Sequence, residues 1–134
     1  MNDKYFVDTN VLIYCYTVTE IDKKVKAQQA VTPIGRTIST QVLQEVANTL
    51  RRKFQKEWSE INAVLDEIIG QFVVHQNSKT TISEAVKIAS RYGYSFYDSL
   101  IIAAAIESGC SILYSEDMQT NQVIAESLTI RSPF

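Results

Sequence analysis

Apolar residues in this chain fall into short blocks that run straight into polar ones, alternating with longer stretches where they recur at helical spacing. The first block, Tyr5-Phe6-Val7, breaks into Asp8-Thr9-Asn10. Tyr5 to Asp8 reads as a buried strand. The passage that follows, with Val11, Leu12, Ile13, Tyr14 and Tyr16, is too long to belong to it and predicts a helix from near Asn10. Asp22 opens a Lys-rich helical piece, Lys23 to Ala30, which Pro33 and Gly35 end. Arg36 to Ser39 predicts a second strand.

Ser39 or Thr40 is a suitable N-cap for a helix that presents Val42, Leu43, Val46, Ala47, Leu50 and Phe54 on one side, with Glu45 just beyond that stripe. Another helix carries Trp58, Ile61, Val64, Leu65, Ile68 and Ile69 and stops at Gly70. Phe72 to His75 predicts strand three. Thr81-Ile82-Ser83-Glu84 has capping-box spacing and opens a helix that Gly93 closes. Ser95-Phe96-Tyr97-Asp98 is a similar start, leading into Leu100 to Ile106, apolar on every side and therefore central; Gly109 ends it. Ile112-Leu113-Tyr114 repeats the strand-to-acid transition with Ser115-Glu116-Asp117. A short helix or turn near Gln122 to Glu126 and a strand over Leu128 to Ile130 complete the chain. The alternation implies an α/β fold, a parallel sheet of about five strands covered by helices.

The 134 residues make one domain with a core that needs no staples. Cys15 and Cys110 each lie in an apolar stretch and read as buried thiols of a cytosolic protein rather than a disulfide. No apolar run approaches the roughly 20 residues of a membrane span, and no basic leader precedes an apolar block. A net charge of −2 argues against gripping nucleic acid by overall positive charge. A local basic patch or a metal site remains open.

Four acids recur in one topological context: Asp8 and Asp117 follow strands, Glu45 lies in the helix after strand two, and Asp98 lies in the first turn of the buried helix. At about 100° per residue, Asp98 shares a face with Ile101, Ile102 and Ala105, so it needs a partner. Each has an ordinary alternative. Asp8, Asp98 and Asp117 could cap helices, and Glu45 taken alone would be a solvated surface residue. Strand ends and helix starts of a parallel sheet nevertheless face one edge, where the four would converge and repel. Hard oxygen ligands without a His/Cys group suit one or two Mg²⁺ or Mn²⁺ ions. Two such ions about 3.5–4 Å apart perform phosphodiester hydrolysis in many nucleases. Thr9, Asn10 and Ser115 would support the carboxylates by hydrogen bonds.

Asp8-Thr9-Asn10, Gln41-Val42-Leu43-Gln44-Glu45-Val46, Tyr97-Asp98-Ser99-Leu100-Ile101-Ile102-Ala103-Ala104-Ala105 and Ser115-Glu116-Asp117, in this order, together resemble a PIN-domain ribonuclease, more narrowly the VapC-type toxin of bacterial toxin–antitoxin pairs. The resemblance implies a PIN-like fold, metal-dependent endoribonuclease activity on RNA, a homodimer, inhibition by a VapB-like antitoxin, and Asp8, Glu45, Asp98 and Asp117 as the acids. Glu116 departs from relatives that carry a basic or neutral residue there. It either adds a fifth acid or points away.

Other features weigh less. His75, the sole histidine, reads as a satisfied or exposed residue. Arg51, Arg52, Lys53 and Lys56 lie near a helix C-terminus, where cations are favoured anyway, and could equally guide RNA. There is no nucleophile elbow and no Gly-rich phosphate loop. A receiver domain would need an acidic pair after strand one, an Asp after strand three and a Lys after strand five; none is present. A PIN-like scaffold without activity is the other alternative, against which the four acids argue.

Overall fold

The computed structural model describes residues 3–134. Along the chain lie β1 (Tyr5–Val7), α1 (Thr9–Tyr14), α2 (Ile21–Val31), β2 (Thr37–Ser39), α3 (Thr40–Arg52), α4 (Trp58–Gln71), β3 (Val73–His75), α5 (Lys79–Tyr92), α6 (Phe96–Glu107), β4 (Ile112–Tyr114), β5 (Val123–Ile124) and β6 (Leu128–Arg131). The strands form one sheet in the order β3-β2-β1-β4-β6-β5. Every neighbouring pair is parallel except β5 with β6. From β1 the chain builds towards β3 on one side and later towards β5 on the other. The β1/β4 seam is thus the switch point, where open α/β sheets place ligands beyond the carboxyl ends of their strands.

Phe6 stands opposite Leu113, and Leu113 opposite Ile130, all fully buried on one face, and Val7 and Ile112, which alternation turns to the other face, are buried too, so the sheet centre is apolar on both faces. α6 packs against α5 and β2 and buries every residue from Ser99 to Ala105, as its unbroken apolar run predicts. Truncating Ile102, which has no exposed surface, would cost roughly 2–5 kcal/mol. Short polar signals set the helix starts: the hydroxyls of Ser39, Ser78 and Ser95 accept from Val42, Thr81 and Asp98 backbone N–H groups. Gly93 (φ 79°) ends α5 in the left-handed conformation that glycine adopts at no steric cost. No helix among the described residues is long and apolar enough to cross a membrane.

The structure corrects several expectations. The sheet has six strands rather than about five, because Val123-Ile124, expected as a short helix or turn, pairs antiparallel with β6. α5 starts earlier than Thr81: Ser78 is the cap, and Thr81 closes the reciprocal bond to the Ser78 N–H at 2.9 Å. Gly70 lies inside α4, which ends where Phe72 turns extended. Trp58 and Ile69 belong to the exposed side of that helix, not its buried stripe. Cys110 is buried as expected, whereas Cys15 is only half-buried; both thiols are free.

Candidate active site

Asp8 occupies the turn between β1 and α1. Its extended backbone (φ −74°, ψ 158°) ends the strand, and its carboxylate accepts the Thr9 N–H at 2.7 Å, so the helix-cap reading is correct as far as it goes. The second carboxylate oxygen accepts the Ser115 hydroxyl at 2.9 Å, across the β1/β4 seam, and the residue is only 6 % exposed. Next in sequence, the Thr9 hydroxyl donates to Glu45 Oε1 at 2.7 Å. This bond reaches from α1 to α3 and holds Glu45 half-buried, although its helical position lies outside the apolar stripe. Asn10 completes the turn: its amide donates to Asp117 Oδ2 at 3.0 Å and its carbonyl accepts the Glu116 N–H at 3.3 Å. Three consecutive side chains thus tie the end of β1 to two other segments, Glu45 on α3 and Ser115-Glu116-Asp117 after β4.

Asp98 sits at the third position of α6, its backbone N–H donating to the Ser95 hydroxyl at 3.2 Å. Asp8, Glu45, Asp98, Glu116 and Asp117 all line one open cavity of about 660 Å³. Asp117 is exposed, Asp98 half-buried, and Asp8 forms the floor.

Electrostatics divides these acids. Burial pushes the Asp8 carboxyl up to about 7, with the charges of Glu45 and Asp98 adding to the rise and the Ser115 and Thr9 hydrogen bonds opposing it. Burial likewise raises Asp98, helped by the charge of Asp117. Glu116 goes the other way: against partial burial, the Lys23 ammonium and the Tyr14 hydroxyl hold it below the usual carboxylate range. Lys23 pairs with one Glu116 oxygen and Tyr14 donates to the other at 2.8 Å. Glu116 is therefore neutralised by the chain itself; Asp8 is not.

A divalent cation fits this donor set in chemistry. The cavity presents carboxylates, hydroxyls and the amides of Asn10 and Asn48, with no His or Cys, which selects Mg²⁺ or Mn²⁺ over Zn²⁺. No three His, Cys, Asp or Glu side chains among the described residues stand closely enough together to hold an ion. The carboxylates are instead separated by the Thr9, Asn10 and Ser115 bonds. This suits Mg²⁺, which keeps several waters and takes one or two carboxylates, better than a cage made by all four acids.

The family model of the PIN domain matches residues 5–124, which takes in all of these acids. The chain belongs to the PIN-domain family. A comparison with curated protein sequences gives no match. Among solved structures, the toxin–antitoxin complex from Klebsiella pneumoniae has a chain similar to this one with a TM-score of 0.73 at 20% identity, covering 98% of each. VapC20 of Mycobacterium tuberculosis, described as a sarcin-ricin loop cleaving toxin, gives 0.70 at 21% identity over 85% of this chain and 90% of its own. DNA-bound VapBC from Salmonella typhimurium gives 0.69 at 16% identity over 99% and 100%. At such identities the likeness is one of fold.

Within this PIN domain the predicted residues do not all reach the cavity. Of the basic cluster, Lys53 lines it, whereas Arg51, Arg52 and Lys56 lie outside. Ser115 is fully buried beneath Asp8 and acts through it. His75 contacts Asn77 (3.2 Å) and Glu107 (3.4 Å) and takes no part in the lining. Sequence reasoning missed Asn48, Thr49, Tyr14 and Lys23. The first two follow Glu45 at i+3 and i+4 and line the same wall, a signal that helical spacing carries. Lys23 had no local signal, since its partner lies far away in sequence.

Proposed function

We propose that this PIN domain is a Mg²⁺- or Mn²⁺-dependent endoribonuclease, acting in the cytoplasm as the toxin of a VapBC-type toxin–antitoxin pair. The observation that carries the reading is Asp8, a buried carboxylate at the sheet's switch point whose charge no cationic side chain among the described residues offsets. Asp8 would anchor the metal, with Asp98, Glu45 and Asp117 as the further ligands or as acceptors for its waters. A bound divalent ion supplies an activated water and a Lewis acid for the leaving oxygen of the phosphodiester. The chain's own contribution is positioning. Ser115 and the Thr9 N–H hold both oxygens of Asp8, the Thr9 hydroxyl holds Glu45, and Asn10 holds Asp117. Such supporting bonds orient ligands and raise metal affinity.

The toxin assignment draws on the fold shared with proteins described as VapBC or toxin–antitoxin complexes. A cognate VapB-like antitoxin would inhibit by presenting a basic side chain to the acid cavity, and the active species would be a homodimer. The test is cleavage of cellular RNA, read by end sequencing after induction of wild type and of Asp8→Asn. The expected result is metal-dependent cleavage lost in the variant while its circular dichroism is unchanged. Full activity of Asp8→Asn, or of wild type in chelator, would overturn the mechanism.

A further inference from the structure

Resting on that reading, we infer that Trp58 and the cations beside it form a stacking platform for unpaired bases of the RNA, outside the acid cavity. Trp58 is the chain's single tryptophan, and it opens α4 with 61 % of its surface exposed. An indole left in water forgoes a large apolar burial, and surface tryptophans of this kind serve as contact residues. Its neighbourhood is specific. The Arg51 guanidinium lies over the ring, 5.0 Å from its centroid, and Arg51 Nη1 donates to the Lys56 carbonyl at 3.0 Å, which ties the arm to the α3–α4 loop.

Charge complementarity favours nucleic acid as the occupant. Arg51, Arg52, Lys53 and Lys56 fall within one short segment of an otherwise acidic chain, and none of them is in an ion pair among the described residues. The nearby carboxylate of Glu60 is engaged in capping α4, accepting the Glu57 N–H at 3.3 Å. Phosphates approaching a carboxylate-lined cavity need local cations to hold them, and Lys53 of this segment lines the cavity itself. The strip is continuous with the site. Asn48, Thr49 and Lys53 line the cavity, and Arg52 follows Asn48 by four residues and Thr49 by three along α3. Bases in a duplex have no free face for the indole, whereas a single strand does; aromatic stacking beside a basic track is how unpaired strands are held.

The single tryptophan makes the experiment direct, since intrinsic emission reports on Trp58 alone. Full-length Asp8→Asn protein in chelator is titrated with single-stranded oligo-RNA, with a duplex of the same length, and with an abasic ribose-phosphate oligomer of equal charge. The expected outcome is strong quenching by the single strand only. By fluorescence polarisation of labelled single strand, Trp58→Ala should bind roughly tenfold or more weakly and Trp58→Phe should recover part of the loss. Equal quenching by the abasic oligomer, quenching only by a co-purified protein, or unchanged affinity of Trp58→Ala would overturn the platform. Wild-type cleavage distinguishes the two ideas. RNA cut by wild type with an unaltered KM in Trp58→Ala sinks the platform alone, whereas base-dependent quenching without any cleavage sinks the nuclease alone.

Discussion

Asp8 and Glu116 line the same cavity, and their segments meet through Asn10, yet their carboxyls are driven in opposite directions. Glu116 follows β4 and is answered by Lys23 from α2 and Tyr14 from α1. Asp8 follows β1 and, among the described residues, receives only neutral donors, while burial and two neighbouring acids work against its charge. A cavity rich in acids is therefore not uniformly poised for a cation. The chain neutralises Glu116 internally and leaves Asp8 without a cationic partner among the described residues, which, on the proposed function, separates a structural carboxylate from the one that would anchor the metal.

The largest effect that would break this contrast is the pH dependence of stability. In chelator, the Asp8 carboxyl stands at about 7 in the folded chain, against about 4 for an ordinary aspartate in the unfolded one. The folded state binds the proton more tightly. Its stabilisation is fully present below about pH 4 and is lost as pH rises through 7, by up to about 4 kcal/mol. Urea unfolding at pH 5 and pH 8 should show wild type losing stability that Asp8→Asn keeps, and Mg²⁺ at pH 8 should stabilise wild type only. Identical pH slopes for the two proteins would mean that Asp8 is not the uncompensated charge.

A smaller effect is expected one bond away. Ser115→Ala removes the hydroxyl that donates to Asp8, leaves one carboxylate oxygen without its buried partner, and should weaken Mn²⁺ binding by about 10–100-fold in calorimetry. Affinity equal to wild type would show that Ser115 only fills space. Smallest is the change at the other carboxylate. Lys23→Met strips Glu116 of its cation, but the pair is partly exposed and screened, so Mn²⁺ affinity should shift by less than about tenfold. The double variant Lys23→Met/Glu116→Gln should return it to the wild-type value. A loss as large as that of Ser115→Ala would place Glu116 among the functional acids.

Much of the frame was legible because it rests on local chemistry. The breaks from Val7 into Asp8 and from Tyr114 into Ser115 marked two strand ends, and Ser95 with Asp98 marked the start of a helix buried along its length. The hairpin of β5 and β6 was hidden. Ala125 and Glu126 both take positive φ (50° and 61°), where Asn or Gly would have announced the turn, and β5 has only two residues. Thr81 misled because its spacing to Glu84 imitates the cap that Ser78 makes. Glu45 looked like a surface residue since no property of α3 itself brings it inward; the Thr9 hydroxyl on another helix does that.

For the opening stretch, sequence alone determined that a carboxylate follows a buried strand and caps a helix, because strand length, apolar pattern and capping act between near neighbours. It also determined which acids were present to gather. Tertiary structure decided how each is compensated. Lys23 and Glu116 meet over a separation of 93 residues, and Ser115 and Asp8 over 107, distances across which periodicity carries no information. A carboxylate's charge state depends on burial and on which donors and ions surround it in space, and those are fixed only when the sheet brings β1 and β4 side by side.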